Sequence, residues 1–319
     1  MRIAVVGGGS WGSVFAALLR ERGHDVTLAC RDAAQVAAIE ETGHNPRYVR
    51  GLSLAGIVPC TLDDPRLAEA ELHVVAVPSG AFREVVAGLP DGGTPVLSLV
   101  KGLDPGSGER LSRVVEGRPV AVLSGPNHAE EIADGLLAAA VIASEDEELA
   151  NELQHAVHSE RFRVYVNADL VGVELCAAAK NVIALGAGAV DGLGMGDNGK
   201  AALITRGLAE MSRLGLAAGA RPETFSGLAG MGDLIVTCWS RHSRNRRAGE
   251  LIARGATAAE ARAEIAMAVE GLTTAPVLRD LSRRLEIELP ITEAVCAVLD
   301  GVGPREAVAA LMGRTPTEE

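Results

Sequence analysis

Short, unbroken apolar runs mark the first half of the chain, at residues 3–6, 26–29, 74–77, 96–100, 120–123, 138–143 and 162–166, with segments of helical period between them. Strands that are apolar throughout belong in a sheet buried on both faces, so the alternation predicts a parallel sheet wrapped by helices. Beyond Asn167 the pattern changes: the runs lengthen, become rich in Ala and Leu, and recur at helical spacing to the end. Residues 1–167 are therefore read as an α/β domain and residues 168–319 as an all-α domain. Asn167-Ala168-Asp169 supplies polar caps for the first long helix. Further along, Thr257-Ala258-Ala259-Glu260 has the form of a capping box, Pro222 and Pro304 suit first-turn positions, and Gly301 and Gly303 are expected to close the helix before them. The tail, 314–319, is short, polar and expected to be mobile.

The first apolar run leads straight into Gly7-Gly8-Gly9-Ser10-Trp11-Gly12 and then into a helical pattern. In the spacing Gly7-x-Gly9-x-x-Gly12 each glycine answers a different demand: a tight turn, close approach of backbone to a pyrophosphate, and close packing of helix on strand. The unpaired N–H groups of a helix start then face the anion. Strand, glycine turn and helix in that order predict a Rossmann-type dinucleotide-binding domain. In such a domain the tip of the second strand chooses the cofactor, an acidic residue holding the ribose 2′-hydroxyl and an arginine accepting a 2′-phosphate. Here the tip reads Cys30-Arg31-Asp32. Arg31 favours NADPH, while Asp32 keeps NADH open and also begins a helix with capping-box spacing.

Composition narrows the partners. A net charge of −12 over 319 residues opposes a general nucleic-acid binder, which must neutralise phosphates with a basic surface. The five cysteines, at 30, 60, 176, 238 and 296, are scattered without a C-x-x-C pair, which suits neither a disulfide framework nor a zinc site and points to a reducing compartment. Met1-Arg2 runs directly into the first strand, so no signal peptide and a cytoplasmic location are expected. The apolar stretch 170–190 raises the question of a membrane span. Glu174, Lys180 and Asn181 interrupt it, and their cost in lipid favours a buried core helix.

Several residues are candidates for chemistry. Lys180 stands within Ala177-Ala178-Ala179-Lys180-Asn181-Val182, where burying an ammonium depresses its pKa and suits it to acid–base work; a lysine snorkelling from an amphipathic helix fits equally well. Asp233, in a glycine-rich segment before an apolar run, reads more readily as a helix cap than as a partner for a lysine. Arg241-His242-Ser243-Arg244-Asn245-Arg246-Arg247 is a candidate phosphate clamp, set against a solvated basic helix face. Lys101, and the turn Ser124-Gly125-Pro126-Asn127-His128-Ala129, follow sheet strands at the end where open α/β folds bind ligands. No metal site is expected.

Taken in order, Gly-Gly-Gly-Ser-Trp-Gly at 7–12, Asn45-Pro46-Arg47-Tyr48, Val77-Pro78-Ser79, Lys101-Gly102-Leu103, Ser124-Gly125-Pro126, Ala179-Lys180-Asn181-Val182, Gly194-Met195-Gly196-Asp197-Asn198, Gly232-Asp233-Leu234, His242-Ser243-Arg244-Asn245-Arg246 and Val269-Glu270-Gly271 resemble the bacterial NAD(P)-dependent glycerol-3-phosphate dehydrogenases over nearly the whole chain. The resemblance implies a second domain of the 6-phosphogluconate dehydrogenase-like kind. It also implies reduction of dihydroxyacetone phosphate to sn-glycerol 3-phosphate for glycerophospholipid synthesis. Lys180 would be the catalytic acid/base, supported by Asp233. Lys101, Gly125, Asn127, Lys180, Asp233, Ser243, Arg244 and Asn245 would surround the substrate. Gly7, Gly9, Ser10, Trp11, Gly12, Arg31, Lys101, Ala129, Arg244 and Glu270 would line the cofactor. The chain departs from the family at Asn127-His128, where Ser or Thr then Phe is common, and at Trp239, a bulkier residue expected to tighten the pocket near the arginines.

Three other readings fit parts of the chain: a dehydrogenase of a hydroxy acid, a paralogue with an altered substrate, and a dinucleotide sensor without turnover. A carboxylate substrate has no need of Ser243, Arg244 and Asn245 together. A sensor has no need of Lys180 in an apolar run. The residues leave the oligomeric state open, a homodimer included.

Overall fold

The computed structural model describes residues 1–90 and 92–315. The tail expected at 314–319 therefore falls mostly outside the described residues. The chain divides into two compact units, Met1–Asp104 with Glu109–Val173, and Pro105–Gly108 with Glu174 onward.

Among the described residues the first unit holds eight strands: β1 (Arg2–Val6), β2 (Asp25–Cys30), β3 (Val58–Thr61), β4 (Leu72–Val75), β5 (Val96–Ser98), β6 (Val120–Ser124), β7 (Ala138–Ala143) and β8 (Phe162–Asn167). Between them run α1 (Ser10–Glu21), α2 (Ala33–Thr42), α3 (Ser79–Ala87), α4 (Leu111–Val114), α5 (Ala129–Ala133) and α6 (Glu147–Val157). The sheet order is β3-β2-β1-β4-β5-β6-β7-β8. After β3 the chain returns to the far side of β1, so the gap between β1 and β4 is a topological switch point. Successive residues of β1 feed opposite cores. Ile3 and Val5 join the layer containing Phe15, Leu28 and Phe162, whereas Ala4 and Val6 join the layer of Val75, Phe82 and Val96. Each large side chain buried this way contributes about 1.5–3 kcal/mol, which explains why these strands are apolar throughout.

Two features differ from the sequence expectation. β3 was not anticipated: it is a four-residue strand at the sheet edge and contains Pro59, which an edge position tolerates. The sheet is also not wholly parallel, because β7 runs antiparallel to β6 while β8 is parallel to β7. The intervening α5 has five residues, roughly 7 Å of helix. That is too short to carry the chain back along a strand of about 17–20 Å.

The second unit is helical: α7 (Leu170–Gly192, whose first turn lies in the first unit), α8 (Gly196–Ala217), α9 (Pro222–Ser226), α10 (Asp233–Trp239), α11 (Arg244–Ala253), α12 (Ala258–Ile265), α13 (Glu270–Arg284), α14 (Pro290–Leu299) and α15 (Pro304–Met312). Asp169 caps α7, its Oδ1 accepting the N–H of Gly172 at 2.9 Å. α7 is long and apolar enough to cross a membrane, and most of its residues are buried in the fold. The Thr257 capping box forms as expected, and Pro222 and Pro304 occupy first turns. Gly301 follows α14 at φ +107°, but Gly303 caps the start of α15 instead of ending the helix before it. α7 and α11 meet backbone to backbone. A Cβ on Gly188 would collide with the Arg246 carbonyl, and one on Gly249 with the Leu185 carbonyl.

Candidate active site

The glycine turn closes β1 at the switch point. Gly7 has φ +122°, and a Cβ there would strike the Ala76 carbonyl just past β4, so this position requires glycine twice over. A Cβ on Gly12 would strike the Gly7 carbonyl, which fixes how closely α1 approaches the turn. Gly9, the cap residue of α1, faces open space. The first turn of α1 has no acidic residue and no side-chain cap, which leaves its N–H groups to an anion. These residues fit a dinucleotide pyrophosphate.

Sequence reasoning missed what holds the turn. The Gly8 carbonyl accepts from Gln35 Nε2 at 2.6 Å and from Asn45 Nδ2 at 3.0 Å. Asn45 is buried, also donates to Ser13 Oγ, and accepts the N–H groups of Arg47 and Tyr48. Asn45-Pro46-Arg47-Tyr48 was legible as a motif, but its job was not. Ser10 and Trp11 open α1, and the Trp11 indole packs on Phe15 with centroids 5.5 Å apart. Arg31 is exposed immediately after β2, and Asp32 caps α2 by accepting from the N–H of Ala34.

The strand-end turns of this unit bring three predicted residues together. Lys101 Nζ donates to the Gly125 carbonyl at 2.9 Å and to Asn127 Oδ1 at 2.7 Å. Gly125 has φ +134°, and Ala129 begins α5. Asn127 is buried, and its Nδ2 has no hydrogen-bond partner among the described residues.

In the second unit Lys180 does not snorkel. It is 4% exposed, on α7, and its Nζ donates to Asp233 Oδ1 at 2.5 Å and Thr237 Oγ1 at 2.8 Å. Asp233, which its local residues read more readily as a cap and the resemblance sets beside Lys180, is the first residue of α10 behind Gly232, and is 1% exposed. Its carboxylate neutralises an ammonium that would otherwise be costly to bury. Thr237, one turn on, accepts from the lysine and donates to Asp233 Oδ1 at 3.3 Å. Nothing local in the sequence marked Thr237. Cys238, on the same buried face, has its thiol pushed up to about 12 by burial and is inert as a nucleophile.

The basic segment divides into separate roles. Arg246 pairs with Asp191 at 2.5 Å and Arg247 with Glu264 at 2.6 Å, so neither matches the four-arginine clamp. Arg244 is exposed at the first position of α11. Ser243 caps that helix, its Oγ accepting the N–H of Arg246. Asn245 is buried, donates to Asn181 Oδ1 at 2.9 Å, and accepts the N–H of Gly271 at 2.9 Å. Two of its four hydrogen-bonding positions are thus spent tying α11 to α7 and α13. Glu270 begins α13 beside Gly271, where a Cβ would crowd the Asn181 carbonyl at 2.6 Å. Trp239, expected to tighten the pocket near the arginines, stands at the end of α10. Its ring is half exposed and lies over Lys200 Nζ at 4.9 Å. Among the described residues no group of three or more His, Cys, Asp or Glu could hold a metal ion.

A glycine turn at the switch point of a doubly wound sheet, followed by a helical unit with a buried Lys–Asp pair, defines a dinucleotide-binding two-unit protein. Residues 2–150 match the N-terminal model, and residues 169–309 the C-terminal model, of NAD-dependent glycerol-3-phosphate dehydrogenase. The chain belongs to this family. It is 46% identical over 326 residues to a glycerol-3-phosphate dehydrogenase (NAD(P)+) of Desulfitobacterium hafniense, covering 100% of this chain and 93% of that protein. It is also 46% identical over 327 residues to one from Thermoanaerobacter sp., covering 100% and 99%. The crystal structure of glycerol-3-phosphate dehydrogenase from Coxiella burnetii superposes with a TM-score of 0.94 at 38% identity, over 98% of this chain and 99% of that one.

Proposed function

We propose that this chain reduces dihydroxyacetone phosphate reversibly to sn-glycerol 3-phosphate with NAD(P)H, in the cytoplasm, supplying glycerophospholipid synthesis. Family membership over the full length supports the reaction. The observation that carries the chemistry is Lys180, an ammonium buried in an apolar helix and held by Asp233 and Thr237. A reduced nicotinamide supplies the hydride when bound. Lys180 then gives a proton from Nζ to the oxygen of the reduced carbonyl, and takes it back in the reverse direction. Asp233 and Thr237 aim Nζ and keep it from swinging between rotamers, so the proton is delivered from one place.

Ser243, Arg244 and Asn245 take the phosphate. Arg244 offers a guanidinium fork suited to a phosphate oxygen pair, and Ser243 a hydroxyl proton not used in capping. Lys101 and Asn127 supply further donors; the unpartnered Nδ2 of Asn127 gains an acceptor from a bound substrate oxygen. The first-turn N–H groups of Ser10 and Trp11 take the pyrophosphate, with Gly7, Gly9 and Gly12 giving the backbone its approach. Arg31 takes a 2′-phosphate, which favours NADPH over NADH. Ala129, Arg244 and Glu270 complete the cofactor surroundings.

The test follows absorbance loss of NADPH and NADH with purified protein and dihydroxyacetone phosphate, alongside dihydroxyacetone. Rapid oxidation that depends on the phosphate is expected. Dinucleotide binding without turnover of the phosphorylated ketone overturns the reading.

A further inference from the structure

Arg246 stands two positions after Arg244 on α11 and is occupied differently. Its Nη1 donates to Asp191 Oδ2 at 2.5 Å, and its Nε to the Ser240 carbonyl at 3.2 Å, while its backbone N–H goes to Ser243 Oγ. One residue thus connects the last turn of α7, the loop between α10 and α11, and the cap of α11. The same Asp191 oxygen accepts from Lys200 Nζ at 2.8 Å, and Lys200, itself buried on α8, lies under the Trp239 ring at the end of α10. Segment 239–246 is therefore gripped at both ends, by Trp239 on Lys200 and by Arg246 on Asp191, and both grips converge on one carboxylate. Between them stand Ser243, Arg244 and Asn245.

We infer that Asp191 and Arg246 are positioning residues for phosphate recognition, acting through the loop that presents Ser243 and Arg244; this rests on the function proposed above. Arg244 is exposed and long, so the direction of its guanidinium depends on where its backbone is held. A loop fixed before the ligand arrives loses less freedom on binding than one ordered by it. Glu250, at 3.4 Å from Arg246 Nη1, shares the arginine's charge but lies on α11 itself and cannot substitute for the tie to α7.

The experiment compares Asp191→Asn and Arg246→Lys with Arg247→Ala. The last removes a like charge from the same helix at an exposed residue paired with Glu264, and leaves the loop untouched. Equilibrium binding of glycerol 3-phosphate, KM for dihydroxyacetone phosphate, kcat and NADH affinity are measured for each, with thermal unfolding. For Asp191→Asn and Arg246→Lys, glycerol 3-phosphate binding and KM should worsen about tenfold or more, because a small misplacement of a positioning group is costly. The losses in kcat and NADH affinity should be smaller, and Arg247→Ala should resemble the parent. Equal loss of phosphate ligand and dinucleotide, or Asp191→Asn and Arg246→Lys behaving like Arg247→Ala, overturns the inference. A parent protein that neither binds glycerol 3-phosphate nor turns over the ketone overturns the proposed function instead.

Discussion

Lys180 and Asp233 are 53 residues apart in the chain and 2.5 Å apart in the fold, with each side chain almost fully buried. The pair is costly to desolvate and more costly to break. If Lys180 is the proton donor proposed above, Lys180→Ala should lower turnover by roughly 10²–10⁴-fold while NADPH still binds. Asp233→Asn leaves a buried ammonium without its counter-charge and should destabilise the fold by about 3–5 kcal/mol. Steady-state rates, dinucleotide titration and denaturant unfolding check the two. Near-normal turnover in Lys180→Ala would exclude it as the acid/base.

The Gly8 carbonyl is held by two amides, and the turn should loosen when either is removed. Gln35→Ala and Asn45→Ala should weaken NADH and NADPH alike by about 3–10-fold, the worth of one hydrogen bond, with kcat at saturating cofactor nearly unchanged. Fluorescence titration of each dinucleotide measures this. A loss confined to NADPH would show that Gln35 acts on the 2′-phosphate and not on the turn.

Arg31 is exposed at the tip of β2, beside an Asp32 whose side chain is engaged in capping. Arg31→Ala should raise the KM for NADPH by about tenfold, the order expected for a lost charged hydrogen bond, and leave that for NADH little changed. Equal effects on both coenzymes would remove Arg31 from cofactor choice.

Glu210 reaches from α8 to cap α14, accepting the N–H groups of Ile291 and Thr292 and the Thr292 hydroxyl. Burial nonetheless pushes its pKa above the usual 4.5, with these hydrogen bonds opposing the shift. The folded state therefore holds this proton more tightly than the unfolded chain. Its contribution is fully present below the ordinary pKa and falls away as pH rises through the raised one. Thermal unfolding of the parent and Glu210→Gln from pH 4 to 8 should differ in slope in that window, with the parent losing stability relative to the variant as pH rises. Parallel curves would show that Glu210 does not titrate there.

What the sequence disclosed follows from how local each constraint is. Gly7, Gly9 and Gly12 were readable because a turn, an anion and a helix contact act within six residues. The two-sided burial of β1 was readable because it writes itself into consecutive apolar residues. From its local residues Asp233 reads more readily as a cap, because its partner lies on another helix and a carboxylate before an apolar run looks the same in either role; only the family resemblance set it beside Lys180. Thr237 and the Asn181–Asn245–Gly271 chain left no local trace, since each is defined by side chains that meet only after packing. The arginine cluster was visible as a cluster, but the engagement of two of its four guanidiniums, Arg246 and Arg247, depended on Asp191 and Glu264. The reversal at β7 turned on the length of α5, a boundary that composition leaves undefined.

The glycine contacts between α7 and α11 carry a consequence for how this protein tolerates change. Main chain resting on main chain has no rotamer with which to yield, so Gly188 and Gly249 act as a fixed gauge between the helix bearing Lys180 and the one bearing Arg244. The Asn181–Asn245 and Asp191–Arg246 hydrogen bonds join the same two helices through side chains, which can adjust where the backbone contact cannot. A single methyl group at either glycine would wedge the two helices apart at that contact.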